Sequence, residues 1–278
     1  MKISEYILQA ENVCGLPDTC VRIQALIEDE TASVDDFASV LACDPLLTSY
    51  VIKLANSALY NFSFKIDTVS KAISVMGMQA IYDLVLVSGA TQTLKQLDTD
   101  AIDIDRHWRV SVNTALILKR LASKKDPSDT EKLFILGLLH NVGELIVCQV
   151  TPEKAHQCEC YNAQLLPKNK QLIELGFTYA ELGSEMFKQW NFPEDMVELI
   201  KQQHIPEDNE QAQLLHLAAN LALISVHPDY YSIDNLLDDY LLKKFGFSEA
   251  DLEDAIDWAN VGAFSLFALV NPIDSSIY

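Results

Sequence analysis

The sequence predicts an all-α fold, on three observations. Apolar residues recur at steps of three and four along most of the chain, alternating strand patterns are hard to find, and helix start and stop signals bracket the periodic runs. With 278 residues, 49% of them hydrophobic, the chain is long enough to bury a substantial core as one large domain or two modest ones.

Taken in order, Ser33 is placed to cap a helix with Asp36 near the capping-box position, Phe37, Val40 and Leu41 share its apolar face, and Pro45 forces a break. Asp44 then caps the next helix, with Pro45 as first residue and Leu47, Tyr50, Val51, Leu54, Ala55 and Ala58 as its stripe. Thr68 opens a third, carrying Val69, Ala72, Ile73 and Met76, and Gly77 stops it before the apolar segment 80–90. The acidic LDTDAIDID at 97–105 loses the stripe and marks a boundary near residue 100. Beyond it, 108–122 is amphipathic, and 133–150 is apolar on most faces and so reads as a central buried helix. Helical patterns resume at 179–190, 194–204 and 211–226. The expected organisation is an N-terminal helical subdomain over 1–100, a helical core over 101–228, and an acidic helical tail over 229–278 that packs on the core through Tyr230, Tyr231, Leu236, Leu237 and Leu241.

Forty acidic against twenty basic residues give a formal charge of -20, which repels phosphate backbones and anionic headgroups, so neither nucleic acid nor a membrane is expected as a partner. The N-terminus lacks the features of a signal peptide, and the uncharged segment 258–273 falls short of the roughly 20 residues a spanning helix needs. Six scattered cysteines without a CxxC pair read as reduced thiols of a cytoplasmic protein. In HQCEC, 156–160, a helix puts His156 and Cys160 on one face and swings Cys158 away, and no second half of a metal site appears elsewhere.

Phosphate loops, dinucleotide-binding glycine motifs, GxSxG elbows and HExxH are all absent. What remains is a set of polar residues within apolar helices: His140 and Asn141, Glu144 one turn on, His204 at a helix end, and His216 with Asn220 one turn apart. Two readings stay open. Each polar group is buried because it has a hydrogen-bond partner, in a network that fixes helix register, or the groups converge on a pocket for a metal or an anionic ligand.

The order LP (Leu16, Pro17), DP (Asp44, Pro45), KLANSALY (53–60), AI then MG (Ala72, Ile73, Met76, Gly77), HWRVS (107–111), GLLHNVGEL (137–145) and ELG…W..P (181–193) resembles the HDOD domain, a bacterial relative of the HD-domain metal-dependent phosphohydrolases, over about Leu16 to Asn220. The resemblance implies an HD-domain-like helical bundle with an N-terminal helical subdomain packed against it. It also implies where metal ligands would stand: a first histidine at Val110, a His-Asp pair at His140 and Asn141, and a distant aspartate at Asn220. Further histidines of binuclear relatives correspond to Tyr179 and Gln203, with His204 beside them. Valine offers no donor, and an asparagine brings no charge to offset dehydration of a cation. His107, three residues before Val110 and about 4.5 Å along the axis, is a poor replacement.

The expected function is therefore that of a non-catalytic HDOD signalling or output module, with a protein partner or a small regulatory ligand, no catalytic residue and no cofactor. Its residual pocket would comprise His140, Asn141, His204, His216 and Asn220, with Val110 the lost-ligand position, and its input would come from another chain. The alternative is a divergent metal-dependent phosphohydrolase acting on a nucleotide or cyclic nucleotide, with a divalent ion on His140, His204 and His216. Asn56 and Ser57 of the NS pair are expected to anchor backbone at a helix end.

Overall fold

Helix caps and periodic apolar faces account for nearly all of the structure, a computed structural model that describes residues 1–11, 17–29, 31–56, 60, 62–94, 100–125 and 130–270. The described residues contain no β-strand, only an isolated bridge between Asn162 and Leu165. The chain divides into two compact units, Cys14–Gln96 with Phe264–Tyr278, and Met1–Val13 with Leu97–Ala263.

In the first of these, α2 (Asp18–Glu28), α3 (Val34–Ala42), α4 (Pro45–Ala55), α5 (Val69–Met76) and α6 (Met78–Leu94) follow one another closely. Ser33 and Asp36 form the capping box of α3, whose Phe37 and Leu41 are buried. Asp44 accepts the Leu47 amide at 3.1 Å to start α4, which buries Leu47, Val51, Leu54 and Ala55. Thr68 accepts the Lys71 amide at 3.2 Å, and Gly77 ends α5 at φ +87°, a conformation that side chains rarely adopt. Asn56 clamps a crossing segment: its amide donates to the Ile66 carbonyl at 2.6 Å and accepts the Ile66 N–H at 2.9 Å. Ser57, Ala58, Leu16, Cys14 and residues 97–99 of the expected boundary lie outside the described residues.

The second unit holds α1 (Ile3–Glu11), α7 (Ile104–Ser123), α8 (Thr130–Leu139), α9 (Val142–Val150), α10 (Pro152–Cys158), α11 (Pro167–Leu175), α12 (Tyr179–Gln189), α13 (Glu194–Gln202), α14 (Glu210–Val226), α15 (Ile233–Leu236), α16 (Asp239–Phe245) and most of α17 (Glu249–Val270). The first helix thus departs from the division expected at residue 100. Its Tyr6 is buried edge-on against Phe177 with ring centroids 5.3 Å apart, and the Tyr6 hydroxyl lies 2.7 Å from the Thr151 hydroxyl. Those contacts seat α1 on α9 and α12.

The apolar run Lys132–Val150 has a mean hydropathy of 1.7, enough by length and composition to cross a membrane, and 83% of it is buried inside the protein. It is not the single helix expected from its composition, because it breaks at His140 and Asn141 into α8 and α9. In a continuous helix the His140 carbonyl would receive the Glu144 N–H. Here Gln203 Nε2 donates to that carbonyl at 2.9 Å, and the Glu144 N–H donates to the Asn141 carbonyl at 3.0 Å instead. Glycines flank the break for a steric reason. A Cβ on Gly137 would meet the Ala115 backbone of α7 at 2.5 Å, and one on Gly143 would overlap the backbone carbonyl of Tyr179.

The acidic tail begins on the same unit. Tyr231, Leu241, Leu252 and Ala255 are buried, whereas Tyr230 is exposed. Arg120 forks onto the Asp254 carboxylate at 3.0 and 3.1 Å, and the Lys124 ammonium lies 2.7 Å from Asp251, which ties α17 to α7.

Candidate functional site

A cavity of about 130 Å³ lies within the second unit, among α7, the α8–α9 break, α11, the end of α13 and α14. Val110, His140, Asn141, His204, His216 and Asn220 all border it, as do Tyr179 and Gln203. His107 is not on its wall. That ring is buried and turned toward Glu144, with Nδ1 2.5 Å from Glu144 Oε2.

Glu144 is the hub of a buried ionic cluster. Arg106 Nη2 bonds its Oε1, His107 bonds its Oε2, and Asn141 Nδ2 donates to that second oxygen at 2.7 Å. The same Arg106 nitrogen lies 2.8 Å from Glu159 Oε1, and Arg106 Nη1 donates to the Tyr161 hydroxyl at 3.0 Å. Burial opposes ionisation of Glu144, but Arg106 and His107 outweigh it and hold the carboxyl down at about 2. For Glu159 the balance reverses: burial and the Glu144 charge beside it push its carboxyl up to about 8. At neutral pH Glu144 therefore carries the charge and Glu159 keeps a proton.

The histidines on the cavity wall are neutral. Burial pulls His140 down to about 4; burial and then the Lys168 charge pull His204 down to about 3; His216 is lowered chiefly by burial. Their tautomers follow from their partners. His140 Nδ1 faces the Gly137 carbonyl and His216 Nδ1 the Gln203 carbonyl, each at 2.7 Å, so both Nδ1 atoms donate and both Nε2 atoms carry a lone pair. Asn220 Nδ2 meets the His216 lone pair at 3.1 Å. No protein partner meets that of His140 among the described residues.

The resemblance to HD-domain enzymes implies a divalent ion, and the residues present do not fit one. Val110 has no donor atom, Asn141 gives its amide nitrogen to Glu144, and the Glu144 oxygens are already taken. Among the described residues no group of three or more His, Cys, Asp and Glu side chains is arranged to hold a metal. In HQCEC, His156 and Cys160 are exposed while Cys158 is buried, so the three do not converge.

Sequence reasoning missed Arg106, Glu159, Tyr161 and Lys168 on the cavity wall. One signal was available: Arg106 stands four residues before Val110 on α7 and so shares the face that carries the lost-ligand position. The partners it finds, Glu144 and Glu159, are 38 and 53 residues away and leave no local pattern.

The sequence profile of the HDOD domain matches residues 14–206, well over half of the chain. The chain belongs to the HDOD domain family. An "Uncharacterized protein" of Treponema pallidum (strain Nichols) is 25% identical over 197 residues, which takes in 70% of this HDOD chain and 38% of that relative. The chain thus spans well under half of that relative's length. Among solved structures, a "Putative phosphohydrolase" from Shewanella amazonensis SB2B is similar at a TM-score of 0.72 and 22% identity, covering 95% of this chain and 98% of its own. An HDOD domain protein with unknown function from Geobacter sulfurreducens gives 0.67 at 19% identity, with 99% of both chains covered. A "Putative signal transduction protein" from Marinobacter aquaeolei VT8 gives 0.70 at 21%, over 94% of this chain and 60% of that one. At these identities the likeness establishes the all-α HDOD fold, not the chemistry.

Proposed function

We propose that this HDOD chain is a non-catalytic signalling or output module of a bacterial regulatory pathway, acting in the cytoplasm by binding a protein partner or a small regulatory ligand. The observation that carries the reading is the engagement of Glu144. The one carboxylate that is ionised deep in the cavity wall is neutralised by Arg106 and hydrogen-bonded by His107 and Asn141, so it has no charge to offer a cation. HD-type hydrolysis relies on an ion to lower the pKa of bound water, and what else the wall offers a cation is uncharged: imidazoles, amides, the Tyr161 and Tyr179 hydroxyls, the Cys158 thiol and the protonated Glu159 carboxyl.

The test is catalytic. Purified protein is incubated with manganese, ferrous iron or magnesium and with a nucleoside triphosphate, a cyclic nucleotide and a cyclic dinucleotide, and the products are resolved by chromatography. No metal-dependent turnover is expected. Turnover that requires the metal and disappears in His140→Ala would overturn the reading in favour of a divergent phosphohydrolase.

A further inference from the structure

We propose that the cavity is a binding site for a small hydroxylated anion, with its anionic group at Lys168 and the start of α11 and its hydroxyls donating to His140 Nε2 and Gln203 Oε1. This rests on the non-catalytic reading above and names the ligand class that the site would take.

Three independent features of the wall converge on that class. The first is charge. Arg106 is matched by Glu144, and Glu159 holds a proton, whereas the Lys168 ammonium has no ion-pair partner among the described residues. In a chain of formal charge -20, this leaves the cavity one cation in excess. The second is the helix end that carries Lys168. Leu166 at the N-cap offers no side-chain bond, Pro167 is the first helical residue, and Leu166, Pro167 and Lys168 all line the cavity. The free N–H of Lys168 and the positive end of the nine-residue helix therefore add to the ammonium. The third is a pair of acceptors. Gln203 is only 2% exposed, gives its amide nitrogen to the His140 carbonyl, and has no partner for Oε1. His140 is 5% exposed, and its Nε2 carries a lone pair by the tautomer argument. A buried acceptor left without a donor is destabilising, and a ligand hydroxyl or amine satisfies it where a bare anion cannot.

Size narrows the class. A cavity of about 130 Å³ is close to the roughly 150 Å³ apolar cavity that encloses a benzene molecule. It accepts a three- or four-carbon body and cannot enclose a cyclic dinucleotide. The anionic group is a carboxylate or a phosphate monoester, since Lys168 and a helix N-terminus recognise either.

The experiment compares matched probes on the full chain by thermal shift and calorimetry. Glycerate is set against propionate, and glycerol 3-phosphate against inorganic phosphate, with phosphate release monitored throughout. The hydroxylated member of at least one pair is expected to raise Tm, as any ligand of the native state does, and to bind at least about tenfold more tightly than its partner without carbon hydroxyls. Which pair responds distinguishes a carboxylate from a phosphate ester. Lys168→Gln, at a half-buried position, is expected to weaken binding by at least about tenfold while leaving the Tm of the free protein unchanged. Equal binding within both pairs, equal binding by Lys168→Gln, or no binding of any probe up to about 10 mM overturns the inference. Absence of binding without phosphate release leaves the non-catalytic reading standing, whereas metal-dependent phosphate release from glycerol 3-phosphate removes both.

Discussion

Replacing Glu159 with glutamine is expected to abolish a loss of stability that the parent protein suffers on the alkaline side of neutrality. The Glu159 carboxyl titrates at about 8 in the folded protein against 4.5 for an unperturbed glutamate, because burial and the neighbouring Glu144 charge disfavour its ionised form. Between those two values the folded chain holds a proton that the unfolded chain has released. Stability is therefore greatest below the lower value and falls as pH rises toward the upper one, at about 1.36 kcal/mol per pH unit. From about pH 6.5 to about pH 9 the loss comes to about 2 kcal/mol, since the slope fades once the folded group itself ionises. Glutamine keeps the neutral shape, with an amide to donate to Glu144 and an oxygen for Arg106, and has nothing to titrate. Urea unfolding followed by tryptophan fluorescence reads the relevant unit directly, because Trp108, Trp190 and Trp258 all lie within Leu97–Ala263. A parent stability that is flat over this range, or a Glu159→Gln variant that loses as much as the parent, would refute the proton assignment.

On the acid side the sign is opposite. His140 is depressed from 6.5 to about 4, so its contribution is present above the unfolded value and is lost as pH falls toward the folded one. Between pH 7 and pH 5 this costs about 2 kcal/mol, and His140→Gln should flatten that limb of the same urea titration. Glu144→Ala leaves the buried Arg106 guanidinium with only Glu159 of its two carboxyl partners and is expected to cost about 1.5–3 kcal/mol in unfolding free energy. Gly143→Ala places a methyl against the Tyr179 backbone and should lower stability by about 1–3 kcal/mol, where an alanine at an open helical site would raise it. In the other unit, Ser33→Ala breaks the capping box and should speed amide exchange at the start of α3, at a cost of about 0.5–2 kcal/mol.

Local chemistry was legible where both partners lie within one turn. The pairs Ser33 with Asp36 and Asp44 with Leu47, and the stop at Gly77, place α3, α4 and α5 where the sequence expects them. The break between α8 and α9 was not legible, because it depends on Gln203 competing for the His140 carbonyl from 63 residues away. Likewise nothing in the first eleven residues announces that Tyr6 belongs beside Phe177 and Thr151. The motifs shared with HDOD proteins brought attention to Val110, His140 and Asn220, yet a motif compares positions and not partners. Arg106 stands on the same helical face as Val110, but the counter-charge that makes it acceptable inside the protein comes from other helices.

The carboxamide of Gln203 is pinned in one orientation. Its nitrogen is spent on the His140 carbonyl, so turning the group over would set an oxygen against an oxygen and strand a backbone acceptor, at a cost of about 1–3 kcal/mol. A free glutamine serves equally as a donor or an acceptor, and a pocket lined with free glutamines is tolerant of both. This one is biased: it offers oxygen to whatever enters, and two molecules of the same outline that differ by a hydroxyl in place of a carbonyl would be sorted by a factor of roughly 5 to 150. The hydrogen bond that splits the central helix also sets the polarity of the cavity beside it.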